Sequence, residues 1–249
     1  MRQRGFTLLE LVIVLVLIGI TALLGTRFIA GMAGGYMAAA ERSQGLASAR
    51  FALERLKREL GLAYSPSVYL NDDHRCLSFV PVLAAGRYRG QVMNGSADFV
   101  MPLVLQGQAM AGIDLAVRAD SGEAAWEDYP TVAPANVFAL ADQEPVPVVL
   151  PFADAFPAPA HFVREGAGER YTLLHRRQVR YCIDGGEVRR SERGEEGWGP
   201  AEPMLTQVTT DSAFSDYYES IQLLGLALSV QGRDGRLVLP SQIQVGYEP

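Results

Sequence analysis

Hydrophobic positions fall into two regimes along this chain. From residue 11 to residue 26 the sequence runs LVIVLVLIGITALLGT, without a charge or a proline. With residues 6–10 in front, about 21 residues at roughly 1.5 Å each span about 30 Å, the thickness of a bilayer's hydrocarbon core. Beyond residue 26 the apolar positions narrow to a stripe of Met32, Tyr36, Ala39, Leu46, Ala49, Leu53, Leu56 and Leu60, advancing mostly by threes and fours. That is helix periodicity. Glu54 with Arg58, and Arg55 with Glu59, add charge pairs at helical spacing on the outer face. Gly61 and Pro66 are stop signals, so one helix is predicted from about residue 6 to about residue 62, loosened around Gly31, Gly34 and Gly35. Residues 6–26 are expected in a membrane, and residues 27–62 continue the helix as an amphipathic segment on a head.

From residue 63 to residue 249 the pattern changes to short β-rich runs separated by turn residues. Strands are expected over residues 67–70, 76–83, 99–105, 171–184, 187–190, 223–231 and 237–247. Asp184-Gly185-Gly186 and Arg233-Asp234-Gly235 supply the positive φ that hairpin turns require. Seven prolines between residues 130 and 159 exclude a regular sheet interior there and point to an ordered surface excursion. The fold class expected is α+β, a long N-terminal transmembrane and amphipathic helix packed on an antiparallel β-sheet head.

Charge adds direction. Arg2 and Arg4 precede the apolar run, and a positive flank stays on the cytoplasmic side, so the head lies across the membrane. A cleaved secretory signal would end in an A-x-A-like site, and GTRFIAGMAGG offers no good match. A net charge of −6 gives no broad footprint for nucleic acid. In a periplasmic head Cys76 and Cys182, the only cysteines, are either a disulfide or two buried thiols.

Other constellations carry little chemistry. His74, His161 and His175 have no zinc-ligand spacing. Asn71-Asp72-Asp73 lacks a calcium loop, so no metal and no cofactor is expected. Gly86-Arg87-Tyr88-Arg89-Gly90 matches no phosphate loop and is expected to be a basic turn. Residues 211–219, DSAFSDYYE, combine acids with three aromatics, as a partner surface or a half-buried strand would. No catalytic residue is expected, in the absence of any GxSxG context.

One residue breaks the apolar segment: Glu10, an acid that costs up to about 3 kcal/mol at a helix centre and less near an end, so that it either snorkels to the headgroups or has a partner. The residues around it, Gly5-Phe6-Thr7-Leu8-Leu9-Glu10, resemble the prepilin motif of type IV pilins and type II secretion pseudopilins. The resemblance implies a leader of residues 1–5, cleavage between Gly5 and Phe6 by a prepilin peptidase, and N-methylation of Phe6. With Phe6 as the N-terminus, Glu10 lies one helical turn from a positive amine, in its own chain or in a neighbouring subunit of a fibre. Further along, LERLKRELGLAYSPSVYL, CLSFVPVLAAGRYRG, VRYCIDGGEVRR and LPSQIQVGYEP resemble minor pilins of the mannose-sensitive haemagglutinin (MSHA) pilus. This implies as partners the prepilin peptidase, major and minor pilins and the inner-membrane assembly platform, with membrane lipid around the helix before assembly. A J-type pseudopilin of a type II secretion system is the alternative, since it shares the long helix and large head. Mass spectrometry of a Gly5→Glu variant is expected to find the leader still attached, where the parent chain has lost it.

Overall fold

Helix α1 (Leu8–Gly61) is a single unbroken α-helix of 54 residues. The structure, a computed structural model, describes residues 8–232 and 235–246. The loosening expected at Gly31, Gly34 and Gly35 does not occur. A glycine costs about 1 kcal/mol against alanine in a helix, and the helix-forming residues on both sides carry the ladder through. The chain stops being helical where its carbonyls find other donors. The N–H groups of Leu62 and Ala63 donate to the carbonyls of Glu59 and Leu60, and that of Gly246, from the far end of the chain, donates to Leu60 at 2.9 Å.

Fifteen strands follow among the described residues: β1 (Tyr69–Leu70), β2 (Cys76–Phe79), β3 (Val82–Arg89), β4 (Asp98–Val100), β5 (Ile113–Ala116), β6 (Val137–Ala139), β7 (Val149–Pro151), β8 (Arg170–His175), β9 (Gln178–Asp184), β10 (Glu187–Gly194), β11 (Gly197–Trp198), β12 (Glu202–Thr206), β13 (Ala213–Tyr218), β14 (Leu223–Gly232) and β15 (Gly235–Gln244). They form three antiparallel sheets rather than the single one expected. The first has the order β1-β2-β9-β10-β11 with β12 also on β10, the second β6-β5-β8-β3-β4-β7, and the third β13-β14-β15.

The differences from the expected strands have local causes. Residues 65–67 make a 3-10 turn, with Pro66 in its first positions, so only Tyr69–Leu70 is extended. The run 76–83 breaks before Pro81, whose missing N–H ends one ladder, and the chain enters another sheet at Val82. The run 171–184 breaks at Arg176 and Arg177, again changing sheets. Pro102 stops β4 short of residue 105. Gly86–Gly90 is not a turn at all; its first four residues belong to β3.

The second sheet consists wholly of strands lying between β2 and β9 in sequence, although β2 and β9 pair directly with each other. It is an inserted lobe with its own core around Phe99, Tyr88, Leu115 and Tyr171. A third apolar cluster around Trp126 and Tyr129 joins it to the first sheet. The proline-rich stretch supplies both edge strands of this lobe, β6 and β7. Along β7, Met101 N–H donates to Val148 O and Phe152 N–H to Ala97 O, which turns the backbone of residues 147, 149 and 151 outward. Two of those three are prolines, so the open edge offers a single N–H and resists pairing with another strand.

At the end of the β2–β9 pair away from the lobe, Cys76 and Cys182 are cross-strand partners joined by a disulfide, with an S–S distance of 2.04 Å. The turn ahead of β2 is held by the residues considered for calcium: Asn71 Oδ1 accepts from the N–H of Arg75 and Cys76, and Asp73 Oδ1 from that of Arg75. The bond closes a separation of 106 residues. Replacing both cysteines by serine is expected to lower unfolding stability by roughly 4 kcal/mol in the chain-entropy picture, read as a fall in the urea midpoint.

Candidate functional site: the N-terminal helix and its seat on the head

Helix α1 divides by what surrounds it. From Leu8 to residue 37 no side chain is buried: Leu11 is 56% exposed, Ile18 57%, Leu23 66% and Phe28 69%. This part is long and apolar enough to cross a membrane. Its polar side chains are accommodated locally. Thr21 Oγ1 donates to the carbonyls of Leu17 and Ile18, and Thr26 Oγ1 to that of Leu23, so neither hydroxyl presents an unmet donor to an apolar surrounding. Glu10 sits in the first turn of α1. Gly5 and Phe6 lie outside the described residues.

The other part is seated on the head. Ala49, Ala52, Leu53, Leu56 and Leu60 are buried, at the spacing of one helix face. They pack against Tyr181 and Ile183 of β9, Val188 of β10 and Leu224, Leu226 and Leu228 of β14. Of the expected stripe, Met32 and Tyr36 stay exposed, at 62% and 78%, because the head begins to cover the helix only near Leu46. Burying a leucine contributes about 2 kcal/mol, so Leu53, Leu56 and Leu60 dominate the attachment.

Charge sets the rotation of that seat. Arg190 of β10, buried to 12% exposure, reaches Glu59 of α1 at 2.9 Å and Glu192 at 2.6 Å. Arg55 closes on the other oxygen of Glu59 at 3.1 Å, and Arg177 on Glu192 at 3.2 Å. The Arg55–Glu59 pair was legible in the sequence, whereas Glu54 pairs with Lys57 at 3.7 Å instead of Arg58. Burial pushes the Glu192 carboxyl up, but hydrogen bonding to Arg190 and the charge of Arg177 outweigh it and leave the group below its ordinary value. Burial likewise works against the charged form of Arg190, and the carboxylates of Glu192 and Glu59 overcome it.

A second polar cluster, not foreseen, marks the corner between lobe and first sheet. Asp114, 2% exposed, faces Arg176 at 3.1 Å, and Arg176 also reaches Glu195 at 3.2 Å. Burial dominates at Asp114 and raises its pKa despite Tyr129 and Arg176. The only sequence signal for this corner was the Arg176-Arg177 interruption of a β run. The histidines are not gathered: His175 lies at this corner, its imidazole pushed down by burial and by Arg177, whereas His74 faces Asp216 at 3.7 Å. Among the described residues no group of three or more His, Cys, Asp or Glu is placed to hold a metal ion. Residues 211–219 form mostly β13, with Phe214 buried in the core.

The helix thus combines an uncovered apolar stretch long enough to cross a membrane with an acid in its first turn. Residues 1–26 match the family model of the prokaryotic N-terminal methylation motif. The chain has the N-terminal segment of a type IV pilin-like protein. In pilin-like terms, the seat on the head holds the helix by one face of its second half. No curated protein and no solved structure matches the chain significantly.

Acid should weaken the seat through Glu192. Its folded pKa lies below the unfolded one, so its contribution is present above the ordinary carboxylate range and is lost as pH falls through the folded value. Unfolding curves between pH 7 and pH 3 are expected to show less acid destabilisation in Glu192→Gln than in the parent. Leu56→Ala is expected to cost about 2–5 kcal/mol at neutral pH.

Proposed function

We propose that this protein is a minor pilin of an MSHA-type pilus, similar to MshO, that enters the filament after removal of its leader and acts in the assembly-priming or tip complex. One observation supports the reading most: the uncharged run of residues 11–26 is exposed along the helix apart from half-buried Gly25, within the segment that matches the N-terminal methylation motif. Such a surface needs lipid first and other apolar helices afterwards. The large head favours a minor component over an abundant one. In this reading the helix crosses the inner membrane with the leader in the cytoplasm and the head in the periplasm. Prepilin peptidase cuts after Gly5, and Phe6 is then N-methylated.

Glu10 supplies the register. In lipid its carboxylate neutralises the amine of its own Phe6, and in the fibre that of a neighbouring subunit, so both charges stay compensated when the helix leaves the membrane. The axial position of each subunit is thereby tied to one ion pair.

Deleting the gene is expected to reduce surface pili while protein secretion continues. Lost secretion with normal pili would instead identify a J-type pseudopilin. Glu10→Ala is expected to be processed normally but to enter filaments at least about tenfold less, as the loss of one partner of a buried charge pair implies. Immunoblots of sheared pili against whole-cell protein measure both effects, and normal incorporation of the variant would refute the role given to Glu10.

A further inference from the structure

The motif Gly86-Arg87-Tyr88-Arg89-Gly90 contributes nothing to the helix or its seat, yet the fold gives it a defined surface. Within β3, strand alternation buries Tyr88 at 1% exposure and leaves Arg87 and Arg89 exposed on the opposite face. The register places exposed Arg170 of β8 directly across from Arg87. Opposed side chains on neighbouring antiparallel strands start about 5 Å apart, and like charges there destabilise the sheet. Among the described residues no carboxylate oxygen lies within 4.0 Å of any of the three guanidinium groups. Elsewhere in the head Arg164, Arg176, Arg177, Arg189, Arg190 and Arg236 each hold one.

The same face continues across the lobe. Arg87 pairs in register with Val100 of β4, and Val100 with Val149 of β7. One line of side chains therefore runs Arg170, Arg87, Val100, Val149, basic at one end and apolar at the other, with Val149 42% exposed. Asp98 stands opposite Arg89 without closing to ion-pair distance. Among the described residues the Arg87–Arg170 repulsion is met by no acid at ion-pair distance, the mark of a surface shaped for something outside it.

We propose that this face of the inserted lobe binds an extended acidic segment of a partner protein. Arg87 and Arg89 are alternate residues of one strand, about 6.6 Å apart. Alternate side chains of an extended partner have that same spacing, so successive carboxylates meet successive guanidinium groups in bidentate bonds. Arg170 adds a second row, and Val100 with Val149 receives an apolar side chain beyond it. The site is a flat strand surface rather than an enclosed cavity, which suits a peptide segment. Docking uses the face and not the β7 edge, where prolines 147 and 151 leave a single outward N–H. The inference is independent of the filament reading, for the lobe is the same whether the chain serves a pilus or a secretion system.

The test is fluorescence polarisation with the full chain in phosphatidylcholine nanodiscs and a labelled peptide of four Glu-Val repeats. Its Gln-Val analogue, polygalacturonate and phosphatidylglycerol vesicles serve as the other arms. The Glu-Val peptide is expected to bind at low salt and the Gln-Val peptide not to bind. Arg87→Gln combined with Arg170→Gln should weaken binding about tenfold or more. The thermal midpoint of that variant should equal or exceed the parent's, because two opposed charges are gone. Unchanged binding by the variant overturns the proposal, as does tighter arginine-dependent binding of polygalacturonate or lipid. A lowered thermal midpoint also overturns it, since the arginines would then be holding the sheet together.

Discussion

One helix has to be solvated by two different media, and the rest of the molecule is arranged around that constraint. The apolar segment, some 30 Å long, is left uncovered by the head, a surface suited to an apolar surrounding. The head therefore takes only the last three to four turns. There, three leucines and two alanines provide adhesion, while the Glu59–Arg190–Glu192 chain of charges selects the rotation. Adhesion without that selection would let the apolar face slide; the charges alone, being partly solvated, would hold little.

The head is large because a complete β lobe has been placed between two strands that still pair with each other. Sheet one closes over the helix as though the lobe were absent, with β2 and β9 in register across their four shared rungs. Polar corners at Asp114–Arg176 and an aromatic cluster at Trp126 and Tyr129 fasten the lobe without sharing the core that grips the helix. Changes in the lobe surface can thus proceed without disturbing the helix seat.

Much of this was visible in the sequence, for identifiable reasons. A 16-residue uncharged run and a three-four stripe depend on local periodicity alone, so the helix and its end near Gly61 were legible. The processing motif is contiguous, and its match over residues 1–26 needs no tertiary information. The number of sheets was not legible, because β2 and β9 are neighbours only after a long excursion and because a strand that turns a corner, as at Pro81 or Arg176, looks continuous in a hydropathy pattern. Arg87 and Arg89 were misplaced in a turn since flanking glycines suggested one. Gly86 serves instead to clear the ring of Tyr171, whose atoms would lie 2.6 Å from a Cβ there. Arg190 was out of reach too: its partner Glu59 is on another element, and only the fold brings them together.

The disulfide also has a mechanical meaning. The lobe leaves the first sheet at the Phe79–Val179 end of the β2–β9 pair, while Cys76–Cys182 sits at the opposite end. Tension applied to the lobe would open that pair from Phe79 inward, one rung at a time. Hydrogen bonds fail sequentially under such peeling, but at the fourth rung the force meets a covalent bond. A pull on the lobe is arrested there, before β2 and β9 part completely.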